Sequence, residues 1–401
     1  MAKRNKASRG VQKASKEKKY QRDLKCSVAP VSPALLETQK PTVRGPKFER
    51  AKKKQLSKEV VQEKEPEPSS QLSTSIANAK KASQKWAQIA SKMGLKRIRR
   101  EFIDSVKPYS PDGTRDAFHL DANNDKNRYD DVSLLDKTRV KLKNNPNGQF
   151  FSTDDDYIHA SLVNVSPEMT IICAQGPLEN TIENFWIMAV EKLCKVILQL
   201  CQFEEDGKEK CVKYFPQEDE GNEKTYDSVK VRVLSRGMNV GSMRKVTRTL
   251  LEVTHGTKIV ETTHLLYGGW PDHAVPESLS TYIELRSLVQ RLSCQTPVVA
   301  HCSAGIGRSG SYAAVEMACY ELMVKGNRSF AVNEVVCRLR DQRTQSVQND
   351  LQYSFVYRMT LEILLAEKLI EKSRDLSQFF EDFDDLIKRK KAEMAKNKRN
   401  K

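Results

Sequence analysis

The sequence lacks an apolar run close to the ~18 residues that a membrane-spanning helix needs. It also begins without the charged and then apolar pattern of a secretory signal peptide. Its nine cysteines are odd in number and contain no C-x-x-C pair, which disfavours a disulfide framework and a zinc cluster. These absences together predict a protein of the reducing cytoplasm, without a transmembrane segment or a structural metal.

Positive charge is concentrated at one end of the chain. Residues 1–100 contain 27 Lys and Arg against 8 Asp and Glu, a local charge of +19, whereas the whole chain carries +16. Residues 1–75 are rich in Lys, Ser, Gln and Pro, so they cannot bury enough apolar area to offset ordering, which predicts a disordered basic arm. Its residues 3–19 resemble a split nuclear import signal, which leaves nuclear localisation open. A solvated tail and contact with a polyanion, either nucleic acid or acidic lipid, both remain as interpretations of the arm.

The pattern of apolar residues changes at Ile76. Helical spacing continues from there to Met93, and Gly94 is placed to end the helix. We expect one domain over 76–372, followed by a charged tail over 373–401. Apolar strand-like runs alternate with helical segments, which predicts an α/β fold with a twisted mixed sheet flanked by helices.

Three segments have the sequence pattern of a particular strand or helix. Residues 157–163 alternate like a half-buried strand, and residues 195–200 are mainly apolar with little alternation, as in a central parallel strand. Residues 353–370 have the pattern of an amphipathic helix that closes the domain.

A glycine-rich loop joins a β-branched run at 298–299 to an Ala-rich helical run after Gly310. Such a loop directs several backbone N–H groups at one phosphate-sized anion. Cys302 lies in this loop, where the N–H dipoles and the Arg308 cation favour its thiolate, so it is a candidate nucleophile. Arg308 can hold two phosphate oxygens, and the Ser309 hydroxyl is expected to hydrogen-bond the sulfur.

The ten residues from His301 to Gly310 resemble the signature loop of the cysteine-dependent protein tyrosine phosphatases. The resemblance implies a single-domain, non-receptor, tyrosine-specific enzyme that hydrolyses phosphotyrosine in proteins through a cysteinyl phosphate. It implies no cofactor and no metal, because Arg308 and the loop N–H groups supply the positive charge. It counts His301 among the catalytic residues and assigns phosphate binding to Ser303, Ala304, Gly305, Ile306, Gly307 and Arg308.

Trp270-Pro271-Asp272 resembles the family's mobile acid loop. By that match Asp272 donates a proton to the tyrosyl oxygen and later accepts one from water. Trp270 stiffens the tip, while the two preceding glycines allow hinge motion. Ala274 replaces a glycine common in relatives, which is expected to slow or bias closure.

Residues 124–132 resemble the family's phosphotyrosine-recognition loop. Tyr129 would stack on the substrate ring, and Asp131 would bind N–H groups of the substrate backbone. Asp130 adds a second acid, so we expect acidic residues beside the phosphotyrosine to be disfavoured.

Residues 340–353 resemble the family's glutamine loop. Gln348 would position the hydrolytic water, with Gln352 as a secondary contact. Asn349 replaces the usual Thr, a small polar change that is expected to be tolerated.

Two supporting roles follow from the same match: Glu205 would pair with Arg308, and Lys210 would lie near Asp272. His159 replaces an Asn of the family pattern and is expected to be structural. The expected partners are phosphotyrosine proteins, and we expect a monomer. A catalytically dead phosphotyrosine-binding module is disfavoured because Cys, Arg and Asp are all present. A dual-specificity phosphatase is disfavoured by the Tyr129 loop and the large domain.

Overall fold

The computed structural model describes residues 70–143, 156–217, 220–238 and 240–399. Most of the expected basic arm lies outside these ranges, so the arm and the boundary near residue 76 stay predictions. Among the residues that are described, no helix combines the length and the apolar character needed to cross a membrane.

Helices and strands alternate along the described chain. The helices are α1 Ser70–Glu101, α2 Asp116–His119, α3 Ile182–Glu191, α4 Leu279–Ser293, α5 Arg308–Cys319, α6 Val332–Arg340, α7 Asp350–Ala366 and α8 Arg374–Arg399. The strands are β1 Arg139–Lys141, β2 Tyr157–Ser166, β3 Met169–Ala174, β4 Val196–Gln199, β5 Glu204–Glu205, β6 Lys208–Glu209, β7 Glu223–Tyr226, β8 Val229–Met238, β9 Val246–His255, β10 Lys258–Tyr267 and β11 Val298–His301.

Nine of these strands form one mixed sheet, in the order β1-β2-β3-β11-β4-β10-β9-β8-β7. The strands β3, β11, β4 and β10 are parallel, and antiparallel strands extend the sheet on both sides. All four residues of β11 and of β4 are buried, as expected where elements cover both faces. The predicted α/β fold with a mixed sheet is confirmed, and the apolar run at 195–200 contains the central strand β4.

The parallel centre of the sheet determines where the site forms. The strands β4, β10 and β11 are neighbours with the same direction, so their carboxyl ends lie at one edge of the sheet. Those ends lead to Glu205, to Asp272 and to Cys302. Three residues that are distant in sequence therefore follow strands that end at the same edge of the sheet. Ligands of open α/β sheets commonly bind at this edge.

Gly94 interrupts α1, as its position in the sequence predicts. Its φ of 71° and ψ of 158° are not helical, and a second helical segment continues to Glu101. Before the break, Trp86 stacks on Tyr357 with ring centroids 5.8 Å apart. This contact packs α1 against α7.

The strand predicted at 157–163 is not half-buried. Residues 157–161 of β2 are all buried, because neighbouring elements cover both of its faces. The helix predicted at 353–370 is α7, and it is buried on nearly every side rather than amphipathic.

The helix α8 packs against α7. Leu376, Phe379, Phe383 and Leu386 recur at helical spacing along α8 and are buried. The Arg358 guanidinium of α7 lies 3.5 Å from the ring centroid of Phe380. The segment expected as a charged tail thus contains a helix with one apolar, packed side.

Candidate active site

The signature loop turns from β11 into α5 around the sulfur of Cys302. The backbone N–H of Gly305 donates to Cys302 Sγ at 3.3 Å. Gly305 has a φ of 72°, and a Cβ there would lie 2.2 Å from the Ala174 carbonyl oxygen. Only glycine fits this position, where its backbone N–H points at the Cys302 sulfur.

Arg343 braces the loop from behind. This fully buried side chain donates to the carbonyl oxygens of Ala304 at 2.9 Å and Gly305 at 3.2 Å. Burial lowers the pKa of Arg343 to about 10, which still leaves it cationic at neutral pH. Its role was not predicted, because nothing in the sequence distinguishes it from the nearby Arg340.

His159 connects this brace to the recognition loop. Its Nδ1 accepts from Arg343 Nη2 at 3.1 Å, so its Nε2–H donates to the Val132 carbonyl oxygen at 2.8 Å. Burial, with the Arg343 charge beside it, lowers the pKa of His159 to about 3, so the ring is neutral. Its placement agrees with the structural role expected for it.

Arg308 is the first residue of α5 and is buried beneath the loop. Its guanidinium holds Glu205 through two bonds, of 2.6 and 3.1 Å, and donates to the Trp270 carbonyl oxygen at 2.9 Å. Burial alone would lower the pKa of Arg308, but the Cys302 sulfur and Glu205 raise it above its usual value. The Glu205 contact lies where the sequence predicts it.

Asp272 is held by two cations. Arg308 Nη2 donates to its Oδ1 at 3.1 Å, and Lys210 Nζ donates to its Oδ2 at 2.6 Å. Burial would raise the pKa of Asp272, but the charge of Arg308 and the Lys210 hydrogen bond outweigh it and lower the pKa. Lys210 therefore lies beside the acid, as predicted.

The acid loop is closed by its own tryptophan. Trp270 Nε1 donates to the Ala274 carbonyl oxygen at 3.0 Å, and the ring packs edge-on against Phe355 at 5.3 Å. The left-handed residue of this loop is His273, with a φ of 51°. Ala274 is not among the positive-φ residues of the described chain, so its Cβ adds no backbone strain in this conformation.

One cavity of about 340 Å³ brings together nine of the predicted site residues. Its lining includes Tyr129, Asp131, Lys210, Asp272, Cys302, Ser303, Ala304, Arg308 and Gln348. Lys208, His273 and Gln345 also line it and were not predicted. The Tyr129 hydroxyl is 2.8 Å from Ser303 Oγ, which sets the ring beside the loop.

The two glutamines meet the loop at Gly307. A Cβ on Gly307 would lie 2.1 Å from Gln348 Oε1 and 2.9 Å from Gln352 Nε2. Gln352 Oε1 accepts the backbone N–H of Gln348 at 2.9 Å. Gln352 Nε2 is buried, and no described residue accepts its hydrogens. Glycine at 307 thus leaves room for the carboxamides of Gln348 and Gln352 beside the signature loop.

Two predicted loop residues lie elsewhere than expected. The hydrogen bond expected from Ser309 to the sulfur is not formed: Ser309 Oγ is buried without a partner in the described chain, and Gly305 donates to the sulfur instead. His301 is fully buried, with Nδ1 3.3 Å from the Cys302 carbonyl oxygen and Nε2 2.8 Å from the Tyr214 hydroxyl. Burial lowers the pKa of His301 to about 4. It therefore supports the backbone and does not line the cavity.

A family model described as "Protein-tyrosine phosphatase" matches residues 123–362. Among curated proteins, "Tyrosine-protein phosphatase non-receptor type 9" of Homo sapiens is 32% identical over 295 residues, which cover 69% of this chain and 48% of that protein. "Tyrosine-protein phosphatase non-receptor type 20" of Rattus norvegicus is 34% identical over 271 residues, covering 67% and 61%. The chain thus spans about half to three-fifths of the length of these relatives.

The fold also matches a solved structure described as "Structural basis of PTPN18 fingerprint on distinct HER2 tyrosine phosphorylation sites". The TM-score is 0.57 at 28% sequence identity, and the match covers 63% of this chain and 88% of that one. The matched family segment contains every residue of the cavity lining described above.

Proposed function

The chain belongs to the protein-tyrosine phosphatase family, and we propose that it hydrolyses phosphotyrosine in proteins through a cysteinyl-phosphate intermediate. One observation carries the proposal. Cys302 and Arg308 of the signature loop, the candidate nucleophile and anion holder, line one cavity with Asp272, the candidate acid from a segment some 30 residues earlier in the chain.

In the first step the Cys302 thiolate attacks phosphorus, and the bond from phosphorus to the tyrosyl oxygen breaks. Asp272 gives its proton to that oxygen, because expelling a phenolate unaided is slow. Arg308 and the loop N–H groups take up the charge on the other phosphoryl oxygens. The products of this step are a tyrosine side chain and a cysteinyl phosphate.

In the second step a water molecule held by Gln348 attacks the cysteinyl phosphate. The Asp272 carboxylate takes one proton from the water, the sulfur–phosphorus bond breaks, and the thiolate is restored. Inorganic phosphate leaves. The support for Gln348 is the position of its Oε1 over Gly307, at the mouth of the loop.

Asp272 must be protonated for the first step, although Arg308 and Lys210 lower its pKa in this arrangement. A bound phosphate dianion resolves this conflict. It neutralises the Arg308 charge that faces Asp272, so it raises the pKa of the carboxyl group when substrate is present. Asp272 can then act as the proton donor before the phosphorus–oxygen bond breaks and as the proton acceptor afterwards.

We expect the Ser309 hydroxyl to act in the second step, when the sulfur leaves phosphorus. Its buried hydroxyl has no partner among the described residues, so it is free to donate to the sulfur as negative charge returns there. Tyr129 forms one wall beside Ser303, which suits an aromatic substrate ring.

The test is turnover of a phosphotyrosine peptide by the purified chain and by Cys302→Ser. Serine at 302 preserves the size of the nucleophile but is not ionised at neutral pH, so turnover should vanish. Cys294→Ser is the matched control, because Cys294 is exposed and outside the cavity, and it should behave as wild type. Full activity in Cys302→Ser would refute the mechanism.

Substrate class is tested with matched peptides that carry phosphotyrosine, phosphoserine or phosphothreonine. The tyrosyl peptide should be hydrolysed far faster, and Tyr129→Ala should reduce that preference. Comparable rates on all three peptides would favour a dual-specificity enzyme instead.

A further inference from the structure

Asn349 contacts two functional segments with one side chain. Its Oδ1 accepts the backbone N–H of Gln352 at 2.8 Å, which caps the N-terminus of α7. Its Nδ2 donates to the carbonyl oxygen of His273 in the acid loop at 3.0 Å. The two bonds also fix the orientation of the amide, since only its oxygen can accept and only its nitrogen can donate.

The bond to His273 crosses from the glutamine loop to the acid loop. His273 directly follows Asp272, and its own backbone N–H donates to Asp272 Oδ1 at 3.1 Å. The bond from Trp270 to Ala274 closes the acid loop on itself and does not attach it to the glutamine loop. The amide of Asn349 supplies that attachment beside the catalytic acid.

We propose that Asn349 is a positioning residue that latches the acid loop over the cavity. The proposal rests on the function proposed above, in which Asp272 donates a proton. A threonine, the residue that the family resemblance leads one to expect, caps a helix with a hydroxyl that is shorter than the amide and has one hydrogen. The asparagine amide caps the helix and holds the loop at the same time.

The latch also connects the acid to the residue that holds water. Asn349 caps the helix turn that contains Gln352, and Gln352 Oε1 accepts the backbone N–H of Gln348. The positions of Asp272 and Gln348 are therefore linked through one short path of hydrogen bonds. Loss of the latch should lower the fraction of molecules in which Asp272 is in place.

That loss should depend on the leaving group. A tyrosyl oxygen needs a proton as it departs, whereas the much less basic dinitrophenolate leaves without help. A displaced acid loop should therefore slow hydrolysis of phosphotyrosine and spare hydrolysis of 2,4-dinitrophenyl phosphate. A purely structural defect would slow both substrates alike.

The experiment uses Asn349→Ser and Asn349→Asp in the full chain. Each variant retains an oxygen that caps α7, but a carboxylate cannot donate and a serine hydroxyl is too short to reach His273. We expect kcat on a phosphotyrosine peptide to fall about fivefold, the factor that one hydrogen bond of ordinary net strength provides. On dinitrophenyl phosphate kcat should change by less than about twofold, because that leaving group needs no proton.

Two controls make the outcome decisive. Ser373→Ala removes a comparable cap at the start of α8, where Ser373 accepts the N–H of Leu376, and should leave both rates unchanged. Unchanged rates in both Asn349 variants, or equal losses on both substrates with a lower Tm, would overturn the latch. Asp272→Asn should lose the phosphotyrosine rate selectively. If it does not, or if wild type is inactive, the proposed function itself fails, and the latch fails with it.

Discussion

The role of Lys210 in the proposed reaction depends on the 2.6 Å hydrogen bond from its Nζ to Asp272 Oδ2. The ammonium stabilises the carboxylate, so Lys210→Met should raise the pKa of Asp272. Activity that needs the protonated acid is lost as pH rises through that pKa. The alkaline limb of kcat/KM should therefore move to higher pH in the variant.

Lys208→Met is the matched control for Lys210→Met, because Lys208 lines the same cavity and no bond to Asp272 is recorded for it in the described chain. Its pH profile should follow that of wild type. A profile for Lys210→Met that is unshifted, or shifted to lower pH, would contradict the electrostatic role.

At this scale, the sequence predicts the contacts that the family resemblance assigns residue by residue. The Glu205 contact with Arg308 and the Lys210 contact with Asp272 both appear in the structure. The roles of Arg343 and Asn349 were not predicted, because the family resemblance assigns neither side chain a contact and their partners depend on how the loops fold against one another. The partner of the Cys302 sulfur depends on the loop conformation, which the residue types alone do not determine.

Among the elements, α8 packs against the domain although its average composition predicts a solvated tail. Charged residues dominate residues 374–399, yet the apolar positions share one side and are buried against the domain. Average composition indicates a solvated tail, whereas spacing indicates an amphipathic helix. The sequence pattern does not indicate the strand β10, which pairs with β9 along its whole length, because residues 258–264 mix charged and Thr positions with apolar ones.

Phe379→Ala tests whether α8 is part of the folded domain. Phe379 is 2% exposed, so truncation should lower the free energy of unfolding by about 3 kcal/mol. Denaturant titration of the variant measures this loss. Gln378→Ala, on the exposed side of the same helix, should stay within about 0.5 kcal/mol of wild type. Equal stability of the two variants would mean that α8 does not pack in solution.

At the scale of the whole molecule, the concentrated positive charge and the candidate active site lie in different parts of the sequence. Residues 1–100 carry a net charge of +19 and residues 101–401 carry −3, whereas the cavity residues all lie beyond residue 128. Fold class was predictable at this scale because alternating strands and helices admit few topologies. The sequence of residues 1–75 has no comparable pattern of strands and helices, so the role of the arm is tested by deleting it.

Deletion of residues 1–75 should leave kcat on a small phosphotyrosine mimic nearly unchanged. The same deletion should weaken retention on nucleic acid or anionic vesicles, because it removes exposed positive charge. The difference should vanish at high salt, since exposed charges are screened within about 10 Å at 0.1 M. A fall in kcat would instead mean that the arm contributes to the catalytic domain.

Salt-independent retention, or equal retention of both chains, would argue against a polyanion-binding arm. Either result would leave the arm as a solvated tail or a ligand for a specific partner.

The most direct test of the central claim is to locate the phosphoryl group during turnover. Wild-type protein is mixed with a phosphotyrosine peptide, stopped within the first turnover by rapid denaturation, digested and analysed by mass spectrometry. The account predicts one phosphoryl group on the peptide that contains Cys302, formed with a burst of dephosphorylated product and absent in Cys302→Ser. A phosphoryl group on another residue, or steady turnover with none on Cys302, would contradict it.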